Sequence, residues 1–280
     1  MYQWRKGIAS WVDSKGTLYL SVPFTWQVAE ARKIAEAWKG SVQIGGSGLM
    51  EPSECEGFEP ILFHNGCATF TTRGCVNNCG FCAVPKLEGD LKEVVDFLPA
   101  PIICDNNLLA APLNHIRRVV DKVKVFPLVD FNQGLEAKRF TPGIADLLGK
   151  LNCHVRFAFD HTSQAGIVKA AIDLCLSRTS KNIGVYCLIG YADDPEDAAY
   201  RLELVRSWGA LPNPMRYQPI KGEGSEKKDS YIHPNWTTKQ LVDTMRYYSR
   251  LNWLGHIPFS LYKSGEVKEE IKEVTTNGDS

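Results

Sequence analysis

From residue 67 onward the chain carries six short apolar or β-branched runs, most of them separated by a stretch long enough for a helix. The runs are "CATFTTRG" (67–74), "PIICDNN" (101–107), "VFPLVDFNQG" (125–134), "HVRFAFDH" (154–161), "NIGVYCLIGY" (182–191) and "MRYQPI" (215–220). Their continuous apolar character predicts strands buried on both faces, as in a parallel sheet. Between them "LKEVVDFL", "LNHIRRVVDKV", "TPGIADLLGKL", "SQAGIVKAAIDLCLSR" and "DPEDAAYRLELVRSWGA" have helical periodicity. Thr141 before Pro142 and Asp194 before Pro195 mark two helix starts, because proline fits the first helical turn. This alternation predicts an α/β fold, specifically a partial (β/α)6 TIM-like barrel.

The first 65 residues read as strand, helix, strand: "TLYLSV" (17–22), "QVAEARKIAEAW" (27–38) and "SVQI" (41–44), running into "GGSG". Val28, Ala31, Ile34, Ala35 and Trp38 recur at helical spacing and give the middle segment one apolar face. The expected organisation is a truncated Rossmann-like segment (1–65), the partial barrel (66–222), and a C-terminal helical extension and tail (223–280). In the last part "TTKQLVDTMRYYSRLNWL" predicts one helix, and the charged end "GEVKEEIKEVTTNGDS" predicts fraying.

Thirty-two basic residues balance 32 acidic ones, so no global field argues for nucleic acid, although a local basic groove remains compatible with that total. No run approaches the roughly 18 to 20 apolar residues of a membrane span, and the expected setting is cytoplasmic, with no membrane partner. Six of the nine cysteines (Cys55, Cys67, Cys104, Cys153, Cys175, Cys187) lie in or beside apolar runs, where a reduced thiol behaves as a small hydrophobe. That usage suits a reducing compartment.

The other three thiols, Cys75, Cys79 and Cys82, fall within eight positions of "TTRGCVNNCGFCAVPKLEG" (71–89). Separations of four and three let them converge from one loop, and three thiolates suit a soft metal or an iron–sulfur cluster. A structural zinc site wants a fourth ligand, for which His64 or Cys67 is available; a redox dithiol of Cys79 and Cys82 would leave Cys75 without a role. The strands all end in polar or glycine positions: Arg73-Gly74, Asp105-Asn106-Asn107, Asn132-Gln133-Gly134, Asp160-His161, Gly190-Tyr191 and Gln218-Pro219. Turn chemistry accounts for each alone. Together they predict a common site at the C-terminal ends of the strands, with Asp105, Gln133 and Asp160 around the cysteine loop.

With Phe81 just before the third cysteine, this loop resembles the CxxxCxxC signature of the radical S-adenosylmethionine enzymes. The likeness spans about residues 67 to 220 and is nearest the branch of methylthiotransferases and cobalamin-dependent members. The resemblance implies a 4Fe-4S cluster held by Cys75, Cys79 and Cys82, with S-adenosylmethionine on the open iron. Its reductive cleavage would give a 5'-deoxyadenosyl radical that abstracts hydrogen from a substrate the sequence does not name. It further implies that Phe81 offers its backbone to adenine, that Asp105 and Asn106 approach the methionine amino group, and that Asp160 with Arg156 lies near the ribose or carboxylate. Gly190, in "VYCLIGYADDPEDA", would pack against adenine. An electron donor such as a flavodoxin or ferredoxin is the implied partner, with nucleic acid a further candidate. No individual catalytic side chain is identified.

Accessory features of that branch are missing. The first 65 residues hold Cys55 alone rather than three cysteines, and the C-terminus reads as helix rather than a β-barrel. Leu62 stands where an Asp-x-His-x-x-Gly loop would place its aspartate before His64, so no cobalamin is expected. The alternative reading is a non-catalytic zinc or iron–sulfur module. Lesser signals are "GGSG" (45–48) as a tight turn or phosphate loop, the basic "HIRRVVDKVK", the aromatic and basic "MRYYSRLNWL", and His233.

Overall fold

The computed structural model describes residues 4–49, 59–180, 182–222, 224–255 and 257–262. Cys55 and the charged C-terminal end lie outside these residues. The chain begins with a three-stranded sheet, β1 (Ala9–Val12), β2 (Leu18–Ser21) and β3 (Val42–Gly45), with helix α1 (Val28–Ala37) joining the last two. β2 and β3 run parallel, as the strand–helix–strand pattern requires, and β1 adds an antiparallel edge. Leu18, Leu20, Val22 and Ala31 form a small core of their own. Gly46 and Gly48 press against the backbone of Val22 and Phe24, where any side chain would collide, so "GGSG" is the meeting point of two chain segments.

The main sheet has six parallel strands in the order β11-β10-β9-β8-β7-β4. These are β4 (Ala68–Thr69), β7 (Ile102–Ile103), β8 (Val129–Phe131), β9 (Cys153–Ala158), β10 (Ile183–Ile189) and β11 (Leu211–Arg216). The helices α3 (Leu113–Val123), α4 (Pro142–Leu148), α5 (Ala165–Arg178) and α6 (Pro195–Ser207) lie between successive strands. Because the strands follow one another in chain order and such crossovers are right-handed, the helices gather on one face. Their apolar stripes, such as Ile116, Val119 and Val123 or Val168, Ile172 and Cys175, meet Val129, Phe131, Val155, Phe157, Val185 and Cys187 in one core.

Burial on both faces was expected, and the structure differs. β9 and β10 alternate strictly between buried and half-buried residues. The half-buried set, including Asp130, His154, Arg156, Tyr186 and Asn213, forms a polar second face. Arg156 pairs there with Asp130, and the Tyr186 hydroxyl donates to Asn132 O at 2.8 Å.

Three element assignments also change. "LKEVVDFL" is not a helix: β6 (Lys92–Glu93) pairs antiparallel with β5 (Thr72–Arg73), and Val94 N donates to Thr71 O. Between these two strands lies the short helix α2 (Val84–Leu87). The sixth strand starts at Leu211 and so includes Pro212 and Pro214, which would be disallowed inside a sheet but fit an edge, where the missing N–H faces no partner. The expected single C-terminal helix is two, α7 (Thr238–Tyr248) and α8 (Leu251–Leu254), broken at Ser249–Arg250.

Three helices start as their sequences indicate. Thr141 accepts from Ile144 N, Asp194 from Glu196 N and Asp197 N, and Thr237 with Gln240 forms a capping box. Helix α7 packs against β11 and α6, and Trp236, Leu241, Tyr247 and Tyr248 belong to the main core. Tyr247 and Tyr248 are buried, so neither ring of this aromatic and basic segment is open to stack on a base. Among the described residues no helix is long and apolar enough to cross a membrane.

Arg201 on α6 ties the strand ends together. Fully buried, it donates to Phe159 O and Leu188 O, both at 3.0 Å, to Asp193 Oδ2 at 2.6 Å and to Asp197 Oδ2 at 2.9 Å. Arg201→Leu strands two carboxylates and two carbonyls, so we expect a loss of about 3–5 kcal/mol. A urea midpoint that moves by less than the equivalent of 1 kcal/mol would contradict this role.

Candidate metal centre at the strand ends

Asp105 sits at the C-terminal end of β7 and is 4 % exposed. Its Oδ1 accepts from Thr71 N at 2.5 Å and Thr72 N at 2.8 Å, and its Oδ2 from Thr71 Oγ1. These bonds hold the chain where it leaves β4 and enters β5. Burial pushes the Asp105 carboxyl up to about 6, against the lowering effect of the Thr71 and Thr72 donors.

The cysteines lie on the excursion between β5 and its returning partner β6. Its base is closed by Cys75 N donating to Gly89 O at 3.1 Å and by Glu88, which accepts from Gly74 N at 2.9 Å, from Asn106 Nδ2 at 2.7 Å, and from both Nε and Nη2 of Arg73. Gly74 has a φ of 75°, and a side chain there would collide with Asp90 O. Only glycine makes this bend without strain. A turn with Cys82 N on Cys79 O, 3.0 Å, then links the last two cysteines.

The thiols are close enough to feel one another. Burial pushes both Cys79 and Cys82 up; Cys82 and Cys75 add to this at Cys79, while at Cys82 a Val84 N–H opposes the rise and Cys75 adds to it. Asp160, at the end of β9, acts on both in the same sense. Asp160 Oδ1 accepts from Leu188 N at 3.2 Å, and its carboxyl is raised by burial, with Arg201 opposing.

A second carboxylate, Glu136, holds the middle of the excursion. It accepts from Asn77 Nδ2 at 3.1 Å and from Asn107 Nδ2 at 2.9 Å, and pairs with Lys138 at 2.7 Å and Arg139 at 2.6 Å. Burial opposes its charge, but the donors Lys138, Asn107, Asn77 and Arg139 prevail and hold it at about 2. Cys75 Sγ receives N–H groups from Asn77 N and Asn107 Nδ2, each at 3.4 Å.

The site residues expected from the sequence thus separate. Cys75, Cys79, Cys82, Phe81 and Asp160 come together. Phe81 meets the Tyr191 ring edge-on at 5.5 Å, Tyr191 meets Tyr217 at 4.8 Å, and Tyr217 in turn meets Tyr231 at 5.3 Å. Gly190 lies beside them with a φ of 76°, packed on Leu241. Asn106 reaches the loop through Glu88, and Gln133 is exposed at the end of β8. Asp105 works from behind the loop, since Thr71 and Thr72 occupy both of its oxygens. Arg156 stays on the polar sheet face, four residues before Asp160, about 13 Å along an extended strand. A cavity of about 340 Å³ opens near it at the opposite end of the sheet, lined by His154, Arg156, Gly184 and Asn213.

The zinc alternative loses its outside ligands. His64 Nε2 lies 2.8 Å from Ser21 Oγ and its Nδ1 3.1 Å from Arg5 O, while Cys67 packs beside Ala68 and Ile102. Among the described residues no three His, Cys, Asp or Glu side chains form a ready-made metal group. The donor set nevertheless fits a soft centre: three thiols on one constrained excursion, with N–H donors already aimed at one sulfur. Glu88, Glu136 and Asn77 were not singled out from the sequence, because each acquires its role through a partner distant along the chain.

Asp105 has a testable pH signature. Its folded value lies above the ordinary 3.8, so the protonated carboxyl favours the fold; this contribution is complete below about pH 4 and is lost as pH rises through about 6. Urea denaturation should show the stability difference between the native chain and Asp105→Asn shrinking by up to about 3 kcal/mol between pH 4 and pH 7. A pH-independent difference would refute it. No family model matches this chain, and no curated protein does either.

Proposed function

We propose that the chain is a radical S-adenosylmethionine enzyme in which Cys75, Cys79 and Cys82 hold a 4Fe-4S cluster. The observation that carries this reading is that Cys75, Cys79 and Cys82 sit on one hydrogen-bonded excursion over the strand ends, within electrostatic reach of one another, although among the described residues they are not drawn into a ready-made metal group. When bound, the cluster would supply the electron that cleaves S-adenosylmethionine, the resulting 5'-deoxyadenosyl radical abstracting hydrogen from a substrate.

The chain's own residues supply position and shelter. Glu88 and Arg73 close the base of the loop, and Glu136 holds its middle through Asn77. Phe81 and Tyr191 form an aromatic wall beside the thiols, and Asp160 brings a carboxyl to the same mouth. Asn106 and Gly190 border this space and Gln133 stands exposed at the end of β8, whereas Asp105 and Arg156 act as supports. An external one-electron donor, a flavodoxin or ferredoxin in kind, would deliver reducing equivalents.

These contacts support a partial (β/α)6 barrel as part of the same proposal. In a flat sheet β4 and β10 would lie four strand spacings apart, about 19 Å, yet the Phe81 and Tyr191 rings are 5.5 Å apart. Curling the sheet toward its polar face would bring the loop after β5 and the loop after β10 together. It would also turn Asp130, Arg156 and Tyr186 inward.

Anaerobic reconstitution should load about four iron and four sulfide per chain. With dithionite and S-adenosylmethionine the loaded protein should then form 5'-deoxyadenosine, and Cys79→Ala should abolish both loading and cleavage. Cleavage retained by Cys79→Ala would sink the reading. Uptake of about one zinc without sulfide would favour the structural-metal alternative.

A further inference from the structure

Asn107 follows Asp105 and Asn106 at the end of β7 and is 3 % exposed, too buried to serve as a surface turn residue. Its Nδ2 has two hydrogens and two acceptors: Glu136 Oε2 at 2.9 Å and Cys75 Sγ at 3.4 Å. The orientation of a side-chain amide is fixed by its partners. An ionised carboxylate only accepts hydrogen bonds, so Glu136 requires the nitrogen, not the oxygen, on its side. The second N–H of that nitrogen then faces the sulfur.

Glu136 can enforce this because Arg139 Nε and Lys138 Nζ fix it from the other side. The Asn107 carbonyl oxygen has no hydrogen-bond partner among the described residues. A buried amide with an idle acceptor is costly as a purely structural element. What it does satisfy is one carboxylate and one thiol. Backbone N–H groups of Asn77 and Val84 also reach Cys75 and Cys82, but among the described residues Asn107 is the side-chain donor to a sulfur of this loop.

We propose that Asn107 is a positioning residue that raises the reduction potential of the iron–sulfur cluster through its hydrogen bond to Cys75 Sγ, an inference that rests on the reading of the cysteine loop given above. A donor to a ligating sulfur draws electron density from it and favours the reduced state, which carries one more negative charge. Glu136 acts one step further out by keeping the amide turned.

The test is a mediated dithionite titration of the anaerobically reconstituted full chain, followed by electron paramagnetic resonance, with iron and sulfide counted on the same samples. Asn107→Leu removes the donor at nearly constant size, and Asn107→Ser removes its reach while keeping a polar side chain should the leucine variant fail to fold. Both variants should load as the native chain does. Their ratio of reduced to oxidised cluster at a fixed potential should fall about tenfold, which for a one-electron couple is about 59 mV. Loaded variants that titrate at the native potential, or above it, overturn the proposal while leaving the enzyme reading intact. Variants that fold but do not load would assign Asn107 to assembly of the site and equally overturn the tuning role. A native chain that takes up no iron and sulfide overturns both readings.

Discussion

The hydrogen bonds from Thr71 and Thr72 to Asp105 mark the point where the chain stops being a sheet and starts being a site. β4 runs parallel to β7, and two residues beyond it the chain must turn away to pair antiparallel with β6. No apolar contact can fix such a change of direction, because the groups to be satisfied are backbone N–H donors at the sheet's end. A buried carboxyl supplied by the neighbouring strand takes two of them at once. Everything in the cysteine excursion is built outward from that anchor.

Carboxylates repeat the device at successive levels. Glu88 gathers the base of the excursion, and Glu136 joins its middle to the strand-end asparagine. The same negative charges, with burial, favour the protonated form of Cys79 and Cys82. A soft cation would reverse that balance by displacing the protons, so occupancy of the site should couple to pH. The site is pre-shaped by polar contacts that do not themselves bind metal.

The two faces of the main sheet differ in chemistry. Helix-facing residues of β8, β9 and β10 make one continuous apolar core, while the alternate residues carry Asp130, His154, Arg156 and Tyr186. Arg201 then joins the helix layer to the strand ends just below Asp160. This links the packed side of the fold to the mouth where the thiols lie.

Much of this was legible in sequence because it is local. The strand–helix alternation, the starts at Thr141 and Asp194, and the four- and three-residue cysteine spacing each depend on neighbours along the chain. Sequence reading erred where a distant partner decides. "LKEVVDFL" has helical periodicity, but Thr72 and Arg73 offer it a strand to pair with. Pro212 and Pro214 look like breakers until β11 proves to be an edge. The sequence by itself therefore determined the α/β architecture and the three-thiol loop, since backbone period and ligand spacing are properties of a few consecutive residues. Only the tertiary structure decided which polar side chains face the thiols and which merely brace them, because hydrogen-bond partnership depends on distances in space that residue order does not encode.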